Sequence, residues 1–219
     1  MSRAVTVEVF SDVICPWCYI GVHRLGCAVD AVAENTGVRP HLAYRAYELN
    51  PDMPAAGISR REYRTAKFGS WERSRKLDAQ TVAAAAGDGL SFDYDAITRT
   101  PNTRAAHRLI AAAEQAAGRG AALAAAVMAA YFRHGRDIGD PNVLTELAAT
   151  IGLGAEVAGS LDDPALDRRV ASDQARAATL GIVSVPVVLA GERVEVGAAS
   201  VADYTALLSD TVAAGPQPR

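Results

Sequence analysis

Val5-Thr6-Val7-Glu8-Val9-Phe10 sets β-branched apolar residues against polar ones in a largely alternating run, which predicts a strand. The period then changes. Ile20, Val22, Leu25, Val29 and Val32 recur at helical spacing, so a helix is expected over Gly21 to Ala33. Arg39 to Tyr47 alternates again, with Leu42, Tyr44 and Ala46 on one side and His41, Ala43 and Arg45 on the other. Strand, helix and strand in this order favour parallel pairing through a right-handed crossover. Pro51, Pro54 and Gly57 end the pattern.

From Ser59 to about Leu180 the periodicity is helical and Ala-rich, with one short strand-like stretch at Leu90 to Tyr94. Helices are expected over Ser59–Phe68, Ser70–Ala86, Asn102–Ala117, Gly120–His134, Pro141–Ile151 and Asp163–Leu180. Asn102 and Asp140 read as N-caps, and Pro141 and Pro164 as first helical residues. Strand character returns in Gly181–Ala190. Gly191-Glu192 is a turn, Arg193–Val196 a hairpin partner, and Ser200–Val212 a closing helix. The fold class that results is α/β: a thioredoxin-like fold, β-α-β … β-β-α, with a large inserted all-helical domain. Its expected bounds are 1–50 and 176–213 for the discontinuous thioredoxin-like domain, 51–175 for the insertion, and 214–219 for a disordered tail.

Composition adds exclusions. With 22 basic and 25 acidic residues among 219, a net charge of -3 gives no bulk signal for nucleic acid or an anionic membrane. No apolar run approaches the roughly 18–20 residues that span a bilayer. Met1-Ser2-Arg3-Ala4 enters the first strand without the apolar stretch of a signal peptide, so a cytoplasmic location is expected. In that setting three cysteines do not make a disulfide framework.

Cys15-Pro16-Trp17-Cys18 stands where the first strand gives way to the first helix. With Cys15 as N-cap and Pro16 at the first helical position, the backbone N–H groups of Trp17 and Cys18 point toward the Cys15 sulfur. They and the helix dipole favour thiolate, so Cys15 should attack and the more enclosed Cys18 resolve the mixed disulfide. The alternative is half of a zinc site. It lacks a second ligand pair, since Cys27 lies on the opposite side of the helix and His23 points elsewhere. No metal and no tightly bound cofactor are expected; the redox-active group is the Cys15–Cys18 pair itself. Val185-Pro186, ahead of a strand, is a candidate cis bond, although most X-Pro bonds are trans.

Phe10-Ser11-Asp12 before Cys15-Pro16-Trp17-Cys18-Tyr19-Ile20-Gly21, together with Pro101-Asn102-Thr103, Ala106-His107-Arg108, Asp137-Ile138-Gly139-Asp140 and Gly181-Ile182 before Val185-Pro186, resembles the FrnE branch of the DsbA-like oxidoreductases. The resemblance implies a catalytic Cys15 and Cys18, a cis Pro186 beside them, and a substrate surface formed by Pro16, Trp17, Val185 and Pro186. Ser184, in place of the family's usual Gly, and Val187-Val188, in place of aromatics, depart from the pattern in the substrate groove. Trp17 stands where a strongly oxidising DsbA carries His, which implies a less oxidising couple.

Other residues read more plainly. Cys27 is expected to be a small buried helix residue rather than a third redox partner, and His107 either faces the site or takes a hydrogen-bonded packing role. His23, His41 and His134 are expected at the surface or a strand edge. Tyr131-Phe132 belongs to the core or lines the helical face opposite Cys15. The clusters around Arg60-Arg61, Arg64–Lys67 and Arg73–Lys76 read as solvated helix faces, with a polyanion site as the alternative. Thiol–disulfide exchange or isomerisation is the leading function, on thiol or disulfide substrates that are proteins or small molecules. A glutathione-dependent isomerase or transferase of the 2-hydroxychromene-2-carboxylate isomerase or kappa type is the alternative, with glutathione a candidate co-substrate in either. A redox-regulated binding or chaperone module is the third. Monomer and homodimer are both open.

Overall fold

The computed structural model describes residues 5–154, 157, 159 and 161–215. The N-terminal Met1-Ser2-Arg3-Ala4 and the end of the expected tail, 216–219, lie outside them.

Strand β1 (Thr6–Ser11) leads into α1 (Pro16–Thr36), and the chain returns as β2 (His41–Ala46). β1 and β2 are parallel, with Val9 opposite Tyr44. The chain comes back to this sheet only near its end, as β5 (Val187–Ala190) and β6 (Arg193–Val196), followed by α8 (Val201–Ala214). The sheet order is β2-β1-β5-β6, and β5 runs antiparallel to both β1 and β6. Val9 is therefore flanked by Tyr44 and Val188, which places the apolar centre of the sheet directly upstream of Cys15.

Between β2 and β5 lie α2 (Arg60–Phe68), α3 (Trp71–Ala84), α4 (Arg104–Ala117), α5 (Gly120–His134), α6 (Pro141–Thr150) and α7 (Pro164–Thr179). The caps explain several boundaries. Ser59, Ser70, Asp140, Asp163 and Ser200 each accept a backbone N–H in the first turn of their helix, satisfying donors the helix cannot. Asn102 is displaced by one residue from its expected role. Thr103 holds the cap position, and the Asn102 side chain accepts the Arg104 N–H at 2.9 Å.

Two strands that local pattern did not signal, β3 (Ile58–Ser59) and β4 (Arg99–Thr100), pair antiparallel. Leu90 to Tyr94, by contrast, is not a strand. The Asp93 N–H bonds to the Phe132 carbonyl at 2.7 Å, and Phe92 and Tyr94 join Tyr19 and Phe132 in an aromatic cluster. Ring burial, not sheet pairing, fixes that segment.

One apolar core runs through the described residues, from Val7 and Phe10 through Leu109, Leu123 and Met128 to Leu208. α8 packs along α1, α4 packs between α5 and α7, and all three of these reach β2. Arg24 ties α1 to distant segments, donating to Asp88 and to the carbonyls of Ala84 and Ala198. Among the described residues no helix is long and apolar enough to cross a membrane.

Candidate active site

β1 ends at Ser11, and a turn closed by the Cys15 N–H on the Asp12 carbonyl, at 3.1 Å, carries the chain into α1. Cys15 is the N-cap, with extended backbone (φ -87°, ψ 116°), and Pro16 occupies the first helical position. The fixed φ of proline suits that position, and its missing N–H removes a donor that had no partner anyway. Cys18 follows within the first turn. Cys15 is 6% exposed and Cys18 is fully buried, and all three cysteines are free thiols.

The cap bond expected from Cys15 does not close at hydrogen-bond distance. Its sulfur lies instead 3.7 Å from the carbonyl of Val185, to which the thiol donates. Sulfur is large and a poor acceptor, so the helix N–H groups act on it less directly than they would on a capping oxygen. The environment nevertheless holds the Cys15 thiol below its ordinary range. The Cys18 thiol donating to it contributes most, and the N–H groups of Cys18 and Trp17 assist against burial and the Asp12 charge. Cys18 moves the other way. Burial pushes it well above the usual thiol range, and its donation to Cys15 adds to that. One thiol is thus prepared to ionise and its neighbour to keep its proton.

The Val185–Pro186 bond is cis. Its chain segment comes back onto the helix N-terminus, and the Pro186 carbonyl accepts the Gly197 N–H at 2.8 Å. Gly21, one turn past Cys18, makes that approach feasible. A Cβ there would stand 2.9 Å from Pro186 Cγ and 3.4 Å from the Tyr204 hydroxyl. Pro186 and Val185 are buried, Pro16 is half-buried, and Trp17 is 42% exposed. Val183, two residues before the carbonyl that faces Cys15, is 88% exposed. Pro16, Trp17, Val185 and Pro186 therefore fall around one sulfur, and Trp17 and Val183 expose apolar area.

Beneath the pair lies a polar arrangement. Asp12 is fully buried, accepts the Leu49 N–H at 2.8 Å, and lies 3.2 Å from Nε2 of the buried His107. The His107 ring stacks on Tyr44, whose hydroxyl donates to the Ser11 carbonyl at 2.9 Å. Buried and bonded to Asp12, His107 takes the packing role of its two readings. Its Nδ1 is buried without a partner among the described residues. Asp12 was legible only as a motif residue, and its pairing across 95 positions has no local signal.

Two further expectations fail. Cys27 is exposed, not buried. Leu25, Ala28 and Val29 turn inward on α1, and the angle that set Cys27 opposite buried Cys18 turns it to solvent. Arg60 and Arg64 are not on a solvated face either. Both are drawn in onto Asp78, at 2.7 and 2.6 Å. His23 is partly buried, bonded to the Asp88 carbonyl, while His41 pairs with Glu114 and His134 is exposed. Tyr131 and Phe132 are both buried core residues and also line a cavity beside Pro16.

A family model described as a DSBA-like thioredoxin domain matches residues 6–209. Among solved structures, SCO1869 from Streptomyces coelicolor, described as a probable DsbA oxidoreductase, is 31% identical. The match covers 98% of this chain and 93% of that one, with a TM-score of 0.81. The cytosolic disulfide reductase DsbM from Pseudomonas aeruginosa is 22% identical, over 96% of this chain and all of its own, with a TM-score of 0.70. DsbM has also been solved with glutathione. A 2-hydroxychromene-2-carboxylate isomerase is 15% identical over 95% of each chain, with a TM-score of 0.66.

Proposed function

The chain belongs to the DSBA-like thioredoxin domain family, and from that premise we propose that it is a thiol–disulfide oxidoreductase of the FrnE branch, working in the cytoplasm with Cys15 as nucleophile and Cys18 as resolving thiol. The observation that carries this reading is the opposed tuning of two free thiols on one helix end, Cys15 drawn toward thiolate and Cys18 held protonated. Exchange needs that asymmetry, because the thiolate is the attacking species and a second ionised sulfur beside it would repel it.

The Cys15 thiolate attacks one sulfur of a substrate disulfide. A Cys15–substrate bond forms, the substrate S–S bond breaks, and the departing thiolate takes up a proton. Cys18 then loses its proton and attacks the Cys15 sulfur, releasing the second substrate thiol. The substrate has gained two electrons and the protein holds a Cys15–Cys18 disulfide. Read backwards, the same steps oxidise a dithiol. The Val185 carbonyl, 3.7 Å from Cys15 Sγ, and the exposed Trp17 and Val183 are positioned to hold an extended substrate across the sulfur. Glutathione is the reductant this reading assigns to the pair, supported by the structure of the cytosolic disulfide reductase DsbM with glutathione.

The glutathione-dependent isomerase reading draws on the fold it shares with the 2-hydroxychromene-2-carboxylate isomerase. Such chemistry has no use for a resolving thiol. Insulin-disulfide reduction by the parent, Cys15→Ser and Cys18→Ser separates the two. Both substitutions should lower turnover by roughly a thousandfold or more, with Cys18→Ser accumulating a Cys15 mixed disulfide. Full glutathione-dependent turnover of an aromatic substrate by Cys18→Ser would instead favour the isomerase, and a fully active Cys15→Ser would exclude both.

A further inference from the structure

Ile14 and Pro16, the residues on either side of Cys15, wall a cavity of about 90 Å³, or about 500 Å³ with its open mouth, that reaches across to α2 and α5. Leu49, Phe68, Ile97 and Phe132 supply apolar lining. Three cationic side chains, Arg60, Arg64 and Lys67, also line it, and no carboxylate does.

The charge around it does not balance. Arg60 and Arg64, 5% and 13% exposed, share one carboxylate, Asp78, itself 9% exposed. Arg64 spends its Nε on the Ser74 hydroxyl, at 2.6 Å, and the exposed Lys67 donates to the Tyr63 hydroxyl and lies over its ring. Nη1 of both arginines and Nε of Arg60 have no hydrogen-bond partner among the described residues. On the far side of Arg60, Asp95 is turned toward Arg75. Burial, and after it the Arg60 charge, press the Arg64 guanidinium toward its neutral form against the pull of Asp78. Aromatic rings take part of that charge, Trp71 and Tyr94 against Arg60 and Phe68 against Arg64, at 4.7–5.4 Å from their centroids, and an anion would take the rest. The room beside it suits a carboxylate on a short stem better than a bulky group.

We propose that this cavity is a subsite for a carboxylate carried by the thiol or disulfide that exchanges with Cys15, so that the protein selects acidic substrates. The inference rests on the thiol-exchange reading. The ligand enters beside the reacting sulfur because the cavity wall is formed by the neighbours of Cys15. Its carboxylate meets Arg64 and Lys67, and its stem lies on Phe68 and Leu49.

The test compares three small disulfides of similar size: 3,3′-dithiodipropionate, its neutral diamide, and cationic cystamine. The acid should be reduced about tenfold faster, by kcat/KM, than the diamide, a difference of about 1.4 kcal/mol, and cystamine slowest. Because free disulfides differ in intrinsic reactivity, each rate is divided by that of dithiothreitol acting alone. Lys67→Gln should cut the acid-to-diamide ratio about threefold. Arg64→Gln should cut it further, and raising the salt to about 1 M should compress it. Arg61→Gln, on the same helix but outside the cavity, should leave the ratio unchanged. If Arg64→Gln does not fold, Lys67→Gln and the salt series still decide. Cystine peptides with Glu or Gln beside the half-cystine, run in parallel, tell a polypeptide source of the carboxylate from a small-molecule one. Equal normalised rates across all three disulfides and both peptides would overturn the subsite while leaving exchange intact. Absence of turnover with every disulfide would overturn the exchange reading itself.

Discussion

Cys15 and Cys18 are three residues apart on one helix end, yet donation from one sulfur to the other and burial move them in opposite directions. The consequence is visible in pH. A lowered Cys15 means its thiolate fraction, and with it the rate of alkylation by iodoacetamide, rises through a midpoint below that of an ordinary thiol and then levels off. Cys18, raised, should stay unreactive until well above that pH. The measurement belongs in a Cys27→Ser background, since exposed Cys27 would add an ordinary thiol to the signal. Because the Cys18 thiol is the largest influence lowering Cys15, Cys18→Ala should move the Cys15 midpoint upward; an unchanged midpoint would mean that the helix N–H groups alone hold the thiolate. The position of both cysteines at the helix N-terminus was legible from their spacing at a strand-to-helix junction. The donor responsible was not, because a sulfur–sulfur contact depends on side-chain geometry that spacing leaves free.

Among the elements, α1 carries the site and Gly21 sets how close the Pro186 segment can come. Gly21→Ala gains helix propensity of about 1 kcal/mol but drives a methyl into Pro186 Cγ, 2.9 Å from the new Cβ position. Overpacking of this kind costs about 1–3 kcal/mol, so a net loss of up to about 2 kcal/mol is expected, together with slower disulfide exchange as the Val185 carbonyl is displaced from Cys15. Thermal unfolding and a turnover assay check the two halves; unchanged stability and rate would mean that the ring moves aside freely. Most helices and the four strands of the main sheet were readable because alternation and helical period are local. β3 and β4 were not, since two-residue strands 41 positions apart leave no periodic trace. Leu90–Tyr94 misled for the opposite reason: its aromatic alternation is strand-like, but its rings are drawn into the cluster with Tyr19 and Phe132.

Across the whole molecule, residues from opposite ends of the chain meet at one sulfur. Val185 reaches Cys15 over 170 positions, and His107 reaches Asp12 over 95. Tertiary packing also converted a run of basic residues, which in sequence looks like a solvated face, into a buried pair on Asp78 beside the site. The order β-α-β, helices, β-β-α forecast the sheet and the cysteine junction; the cavity chemistry emerged only once α2 was laid against Ile14 and Pro16. Whether Cys15 and Cys18 form one two-electron couple is decided by equilibrating the protein, with Cys27 replaced by serine, across a series of thiol–disulfide buffers and weighing the products. A single intramolecular disulfide is expected, with a potential at or below roughly −180 mV and near the −270 mV of thioredoxin-like reductants, less oxidising than the roughly −120 mV of DsbA because Trp17 offers no charge to the thiolate. A protein that only ever carries one buffer thiol on Cys15, with Cys18 free at every poise, would contradict it.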